Sequence, residues 1–455
     1  MRGLLASSIG VACSAALVLP LSLSSGAVAA APPTPDLPGS TQSLPLAAVG
    51  VTASDRSLGR AAEQGLTERD VRPFSLVGVV WNDVNAELHG TVQVRTRATG
   101  SGQWSDWQDV ETHNEEHGAD PGTAESDSGK VRGSTAPLWV GESDGVEVRV
   151  RAEKTAEQAP LPEGLRLELV DPGEETAAEE PVSEDPAVDG SAVEGLAAEG
   201  LTARGFAGYG SVPGGPVRAA AYVPESAPKV LPALSQEETE AQAGLDRAAG
   251  AKPYIGPRPR IITRKAWGAR ESLRDKGFVY TKKVKAAFVH HTATGNTYTC
   301  KQAPSVLRSI YRYHVVSSGW RDIGYNFAVD KCGNIYEGRA GGVAKAVLGA
   351  HTLGFNTNSM GIAVLGTYSR STPPAAAVTA IARLTAWKLG LFGANPRGKV
   401  VLTSGGSGKY KKGKKVTFNV ISGHRDGFLT DCPGGRLYGK LGTARTSSAK
   451  YQGRG

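Results

Sequence analysis

His424 and Cys432 stand eight positions apart in ISGHRDGFLTDCPGG, residues 421–435, a stretch punctuated by glycine. An imidazole and a thiolate on one loop are two donors of the kind that hold zinc. The chain has four cysteines, Cys13, Cys300, Cys332 and Cys432, and Cys13 falls inside a leader-like segment. Once that segment is removed, at most one intramolecular disulfide forms and one sulfur is left over. An idle thiol outside the cell oxidises or cross-links, whereas zinc holds it as the thiolate and removes the hazard. A catalytic zinc takes three protein donors and keeps an open position. FVHHTA (288–293) offers His290 and His291 where an apolar run ends. On spacing alone, two other readings stay open: a coincidental His–Cys pair, and a strand end with one buried imidazole.

The leader is MRGLLASSIGVACSAALVLPLSLSSGAVAAAPP: one arginine, an apolar run, then the small-residue pattern Ala27-Val28-Ala29. It reads as a secretory signal peptide over residues 1–29. Pro20 interrupts the run, no basic stop-transfer segment follows, and GVAC lacks the start of a lipoprotein box. No other stretch approaches the ~20 apolar residues of a membrane span. A secreted, wall-associated protein without stable membrane insertion is expected.

The net charge of +7 hides an asymmetry: residues 251–455 carry 34 Lys and Arg against 7 Asp and Glu, while residues 1–250 carry 17 against 37. So basic a half points to a polyanionic partner, and export favours an anionic wall polymer over nucleic acid, which is not expected. The run GKYKKGKK (408–415) is either a solvated hairpin loop or a contact for such a polymer.

Two regions must position these groups. FSLVGVVW (74–81), TVQVRTR (91–97), LWVG (138–141), VEVRVRA (146–152) and LRLELV (165–170) mostly alternate apolar and polar positions, with GSGQ and ESDG as turns. This predicts an antiparallel β-sandwich over 72–171, after an N-terminal extension at 30–71. Trp104 and Trp107 are either a sugar-stacking platform or packing at a sandwich edge. Between 172 and 252 the pattern dissolves, since 173–200 hold nine acidic and no basic residues and GFAGYGSVPGGP follows. An acidic, Gly/Pro-rich, disordered linker is expected there.

Residues 253–441 carry an α/β pattern, with a tail at 442–455. VKAAFVHH (284–291) is a buried strand and PSVLRSIYRYHVV (304–316) a helix with Pro in its first turn. YNFAVD and NIYEGR are strands around the turn KCGN, and MGIAVLG (360–366) is another. Residues 375–391 form a helix, and KVTFNVISGH (415–424) a strand that ends on His424. Cys300 and Cys332 lie at the edges of these elements, where pairing them would staple a loop to a hairpin.

FVHHTATG (288–295), GWRDIGYNFAVDKCGNIYEGR (319–339), GAHTLGFNTNSMGIAVLG (349–366) and GHRDGFLTDCPGG (423–435) occur in that order. Together they resemble the peptidoglycan recognition protein family, related to zinc-dependent N-acetylmuramoyl-L-alanine amidases. The β-rich region resembles the N-terminal part of secreted actinobacterial members. The resemblance implies a central mixed sheet flanked by helices and one zinc per chain on His290, His424 and Cys432. It sets Tyr325 facing the metal. It also implies Thr430 where phage-type amidases have a lysine, which leaves the general base open. Members that only recognise peptidoglycan typically lack the metal cysteine, so the expected activity is hydrolysis of the amide between N-acetylmuramic acid and L-alanine. With Cys432 on the metal, the disulfide expected is Cys300–Cys332. Groove residues implied are His291, Thr292, His314, His351 and Asn356. Gly319, Trp320 and Arg339 match members selective for diaminopimelate-type stems, in which a guanidinium takes the carboxylate that lysine lacks.

Overall fold

Alternating apolar residues set the first part of the chain into one antiparallel sheet, and the second part into a mixed one. The computed structural model describes residues 39–49, 63–153, 160–173, 228–244 and 254–455. The expected leader and most of the expected linker, including its acidic stretch, lie outside these residues. Pro38–Gly455 cluster as one unit.

The first sheet runs Ser40–Pro45, Arg166–Asp171, Glu63–Trp81, Leu138–Ala152, Gly90–Ala98, Gln108–Val110. Val77, Val79 and Trp81 meet Val92, Val94, Val148 and Leu167 in its core. Leu76 and Val80 point the other way and join Trp139 and Val170 against Trp267, Leu307, Ile310 and Tyr313 of the second sheet's domain. FSLVGVVW departs from the expected alternation: it is buried throughout and apolar apart from Ser75 and Gly78, because both of its faces are covered. At this seam Tyr313 donates its phenol hydrogen to the Thr135 carbonyl at 3.0 Å, and a side chain on Gly78 would run into that ring.

Two expectations change here, and one open alternative is decided. Ser40–Pro45 and the start of Glu63–Trp81 are strands, so much of the expected extension belongs to the sheet, with Leu44 and Leu66 in or against its core. ESDG does not turn the chain, because Leu138–Ala152 runs as one strand paired along Glu63–Trp81 with register breaks. Trp104 and Trp107 are faced by guanidinium groups, Arg149 lying 4.0 Å from the Trp107 ring and Arg95 5.3 Å from that of Trp104; their packing is that of a sheet edge.

The second sheet runs Ile421–Gly423, Ala286–His291, Ser359–Val364, Phe327–Val329, Ile335–Glu337, Ile261–Ile262, Val230–Leu231. Its first four strands are parallel, and the others mix directions. Ala375–Gly390 and Leu441–Tyr451 cover one face, Ala303–Arg312 the other. Residues 442–455 are therefore no loose tail: Thr385 and Ser448 share a hydrogen bond at 3.0 Å, and small residues let the two helices approach. KVTFNVISGH breaks at Val420, with Lys415–Asn419 pairing in a separate hairpin with Lys399–Thr403.

Cys300 and Cys332 form a disulfide across 32 positions. Replacing both with alanine is expected to cost about 2–4 kcal/mol, by loosening the unfolded chain, read as a lower urea midpoint. An unchanged midpoint would assign the loop's stability to its packing alone.

Candidate metal centre

Strand register brings the donors together. Val289 pairs with Gly423 across parallel strands, so His290 and His424, one residue further on each, are neighbours. Their ring centroids are 4.4 Å apart. Side chains alternate along a strand, which puts His290 on the side of Phe288 and away from Val289, whose side is the core under Ala375–Gly390. Cys432 returns on the following loop, closed by the Arg425 amide on the Cys432 carbonyl at 2.9 Å. Its Sγ lies 3.8 Å from His290 Nδ1.

A fourth donor comes from the first sheet's domain. His117, His290, His424 and Cys432 hold their ligand atoms within 4.8 Å of one another. The His117 ring is 4.6 Å from that of His424 and 5.9 Å from that of Tyr325. Both His117 ring nitrogens and His424 Nδ1 are buried without a hydrogen-bond partner, an expensive arrangement unless something accepts them. Burial and neighbouring imidazoles hold His290 and His424 well below the ordinary range, and burial lowers His117 to about 3. The imidazoles are thus neutral, the form that ligates metals. Burial pushes the Cys432 thiol up, which a cation at this place would reverse. This three-nitrogen, one-sulfur set fits zinc.

The other expected residues divide. Tyr325 adjoins the cluster, its ring 5.4 Å from that of His290. His351 lies 5.3 Å from His290 ring to ring, with Nε2 buried and unpartnered. His314 stacks on Trp320 at 4.3 Å and accepts the Gly324 amide at Nδ1. Asn356 and Arg339 reach into the same groove but are taken by the first domain: Asn356 Nδ2 donates to Gly118 and Asp120 at 2.8 and 2.7 Å, and Arg339 clasps Glu125. His291 is on the opposite face of the strand from His290, accepting the Tyr368 amide at 3.1 Å. Thr292 braces a loop through Thr294 and the Gly366 amide. These two support the site from behind instead of lining it. Thr430 has both hydrogen-bonding directions of its hydroxyl in use, toward Glu116 at 2.6 Å and from the Cys432 amide at 3.0 Å.

Residues 280–435 match the N-acetylmuramoyl-L-alanine amidase family, and residues 29–181 the family described as Rv3811 N-terminal galactose-binding domain-like. Peptidoglycan-recognition protein SC2 of Drosophila simulans is 33% identical over 183 residues, 40% of this chain and 85% of that protein. The chain belongs to the peptidoglycan recognition protein family. The human N-acetylmuramoyl-L-alanine amidase is 31% identical over 216 residues, 47% of this chain and 33% of that protein. The solved Drosophila PGRP-LB is 28% identical, covering 40% of this chain and 93% of that one, with a TM-score of 0.32.

For this family member, sequence reasoning missed His117, Glu116, Asp120 and Glu125. All lie in ETHNEEHGADPGTAESDSGK (111–130), which has six acidic residues, two histidines and one lysine. Composition was the only signal, since the partners are far along the chain.

Proposed function

We propose that this family member is a zinc-dependent N-acetylmuramoyl-L-alanine amidase, exported to the cell wall, cleaving the lactyl–L-alanine amide of diaminopimelate-type peptidoglycan. The observation that carries the reading is the retained Cys432, gathered with His290 and His424 beside Tyr325. A zinc ion bound there supplies Lewis acidity and a nucleophile drawn from water at neutral pH. Burial pushes the Tyr325 phenol well above its ordinary 10, so it keeps its proton and donates an O–H where negative charge develops on the amide oxygen. Thr430 orients the cysteine loop through the Cys432 amide. The diaminopimelate reading is supported by Arg339, whose Nη1 and Nη2 hold the Glu125 carboxylate end-on at 2.9 and 2.8 Å. A guanidinium so placed takes the extra carboxylate of a diaminopimelate stem.

A second reading, binding without hydrolysis, is favoured by His117, which fills the position an open catalytic site leaves to water. Mass spectrometry of diaminopimelate-type peptidoglycan after incubation with the zinc-loaded protein separates them. Free stem peptides beginning at L-alanine support the amidase. Saturable binding with no released peptide supports the alternative.

Tyr325→Phe is expected to lower kcat by about 10²–10³ with little change in KM, as for loss of one oxyanion donor. Equal kcat would make the phenol a wall of the groove only.

A further inference from the structure

Residues 111–132 join strand Gln108–Val110 to strand Gly133–Ser134, and within them residues 114–132 run over the second domain. Their contacts fall on the groups the proposed amidase would use. Glu125 faces Arg339, with side chains only 7% and 5% exposed, and also accepts the Arg321 amide at 3.2 Å. Asp120 accepts the Gly354 amide at 2.8 Å and the Asn356 side chain at 2.7 Å. Glu116 takes the Thr430 hydroxyl, its backbone carbonyl lies 3.2 Å from His424 Nε2, and the same carbonyl accepts the Leu353 amide. Gly319 lies so close to the Lys130 carbonyl that no side chain would fit between them. His117, both of whose ring nitrogens are buried without a hydrogen-bond partner, brings one of them into the donor cluster.

A stem peptide offers a carboxylate-bearing side chain at one place and an amide to be cut at another. This segment offers the same pair, a carboxylate on Arg339 and a donor group at the centre. The segment is acidic, and the domain beneath it carries the basic excess of the chain, so the attraction is complementary. We propose that residues 114–132 are an intramolecular occupant of the substrate groove. Glu125 stands where the stem carboxylate goes, His117 takes the position open to water, and the protein is latent until peptidoglycan displaces the segment. The shared apolar seam through Tyr313 and Leu76 keeps the two domains together while the loop lifts, so only the segment need move. This proposal rests on the amidase reading for the identity of the groove.

The test uses the full chain loaded with zinc, and a monomeric diaminopimelate muropeptide as probe. By calorimetry, Glu125→Ala, which frees Arg339, is expected to bind the probe at least about tenfold more tightly than the parent, because the competent state is no longer a minor fraction. With cobalt in place of zinc, His117→Ala is expected to change the visible d–d spectrum, and the parent spectrum should move the same way when the probe is added. In the unmodified parent, hydrogen–deuterium exchange over 111–132 should rise at saturating probe. Equal affinity of parent and Glu125→Ala, or unchanged exchange in the saturated parent, overturns the proposal. The exchange measurement needs no variant, so a misfolded variant leaves the test intact. If parent and variants bind the probe but release no stem peptide, the amidase reading fails, while exchange and affinity still decide occupancy. Absence of any binding overturns both.

Discussion

Replacing Cys432 with alanine is expected to abolish amide hydrolysis and to weaken zinc retention, with the fold intact. The thiolate is the donor that neutralises most charge in the set, and its loss loosens and misplaces a Lewis acid worth several kcal/mol, at least about 10³-fold in rate. The remaining histidines complicate the metal readout. His117, His290 and His424 still converge, and three imidazoles are themselves a zinc site. Cys432→Ala is therefore expected to retain weakened zinc while residues 114–132 stay seated. Cys432→Ala/His117→Ala, left with two imidazoles, is expected to lose it on dialysis. Metal content by mass spectrometry, alongside circular dichroism for the fold, checks both. The fold should survive, because Cys432 belongs to a loop outside the two main cores of the second domain. Stoichiometric zinc in the double variant would remove Cys432 from the donor set.

Much of the centre was legible because it is built from strand ends. VKAAFVHH ends on the pair His290-His291 and KVTFNVISGH on His424, and parallel pairing of their strands is enough to make the rings of His290 and His424 neighbours. The same alternation separates His291 from His290, since Val289 and His291 share a face while His290 takes the other. The helix Leu441–Tyr451 was missed for the opposite reason: it docks through Ala444, Ser448 and Ala449, which leave no apolar stripe to read. The accessory segment was missed because nothing local encodes a contact between Glu116 and Thr430, 314 residues apart. One long-range sign was present. FSLVGVVW, grouped with the alternating strands, is apolar on both faces apart from Ser75, and a strand of an exposed sandwich has no reason to be. That run reported a covering partner for the sheet without saying which.

The latch between Glu125 and Arg339 is expected to behave as a buried ion pair in a thermodynamic cycle. Both side chains are nearly inaccessible, and both guanidinium terminal nitrogens are engaged by one carboxylate at 2.8 and 2.9 Å. Removing one partner of such a pair leaves an uncompensated buried charge and typically costs about 3–5 kcal/mol, whereas removing both costs far less than the sum. Arg339→Ala and Glu125→Ala should thus each lower the urea midpoint strongly, and the double variant should recover most of the loss. The groove location sets a ceiling on this cost. If the segment lifts away, the orphaned group meets water, and the penalty stops at the free energy of seating the loop. A loss well below 3 kcal/mol in Glu125→Ala, with fast exchange over 111–132, would measure that seating energy directly. A full loss with slow exchange would mean that the other contacts, Asp120 on Asn356 and Glu116 on Thr430, hold the segment by themselves. Additive single losses with no recovery in the double variant would show that the two groups do not act as a pair. On the amidase reading the distinction matters, since a stem peptide would have to exceed only the seating energy, with Arg339 exchanging one carboxylate for another at little cost in desolvation.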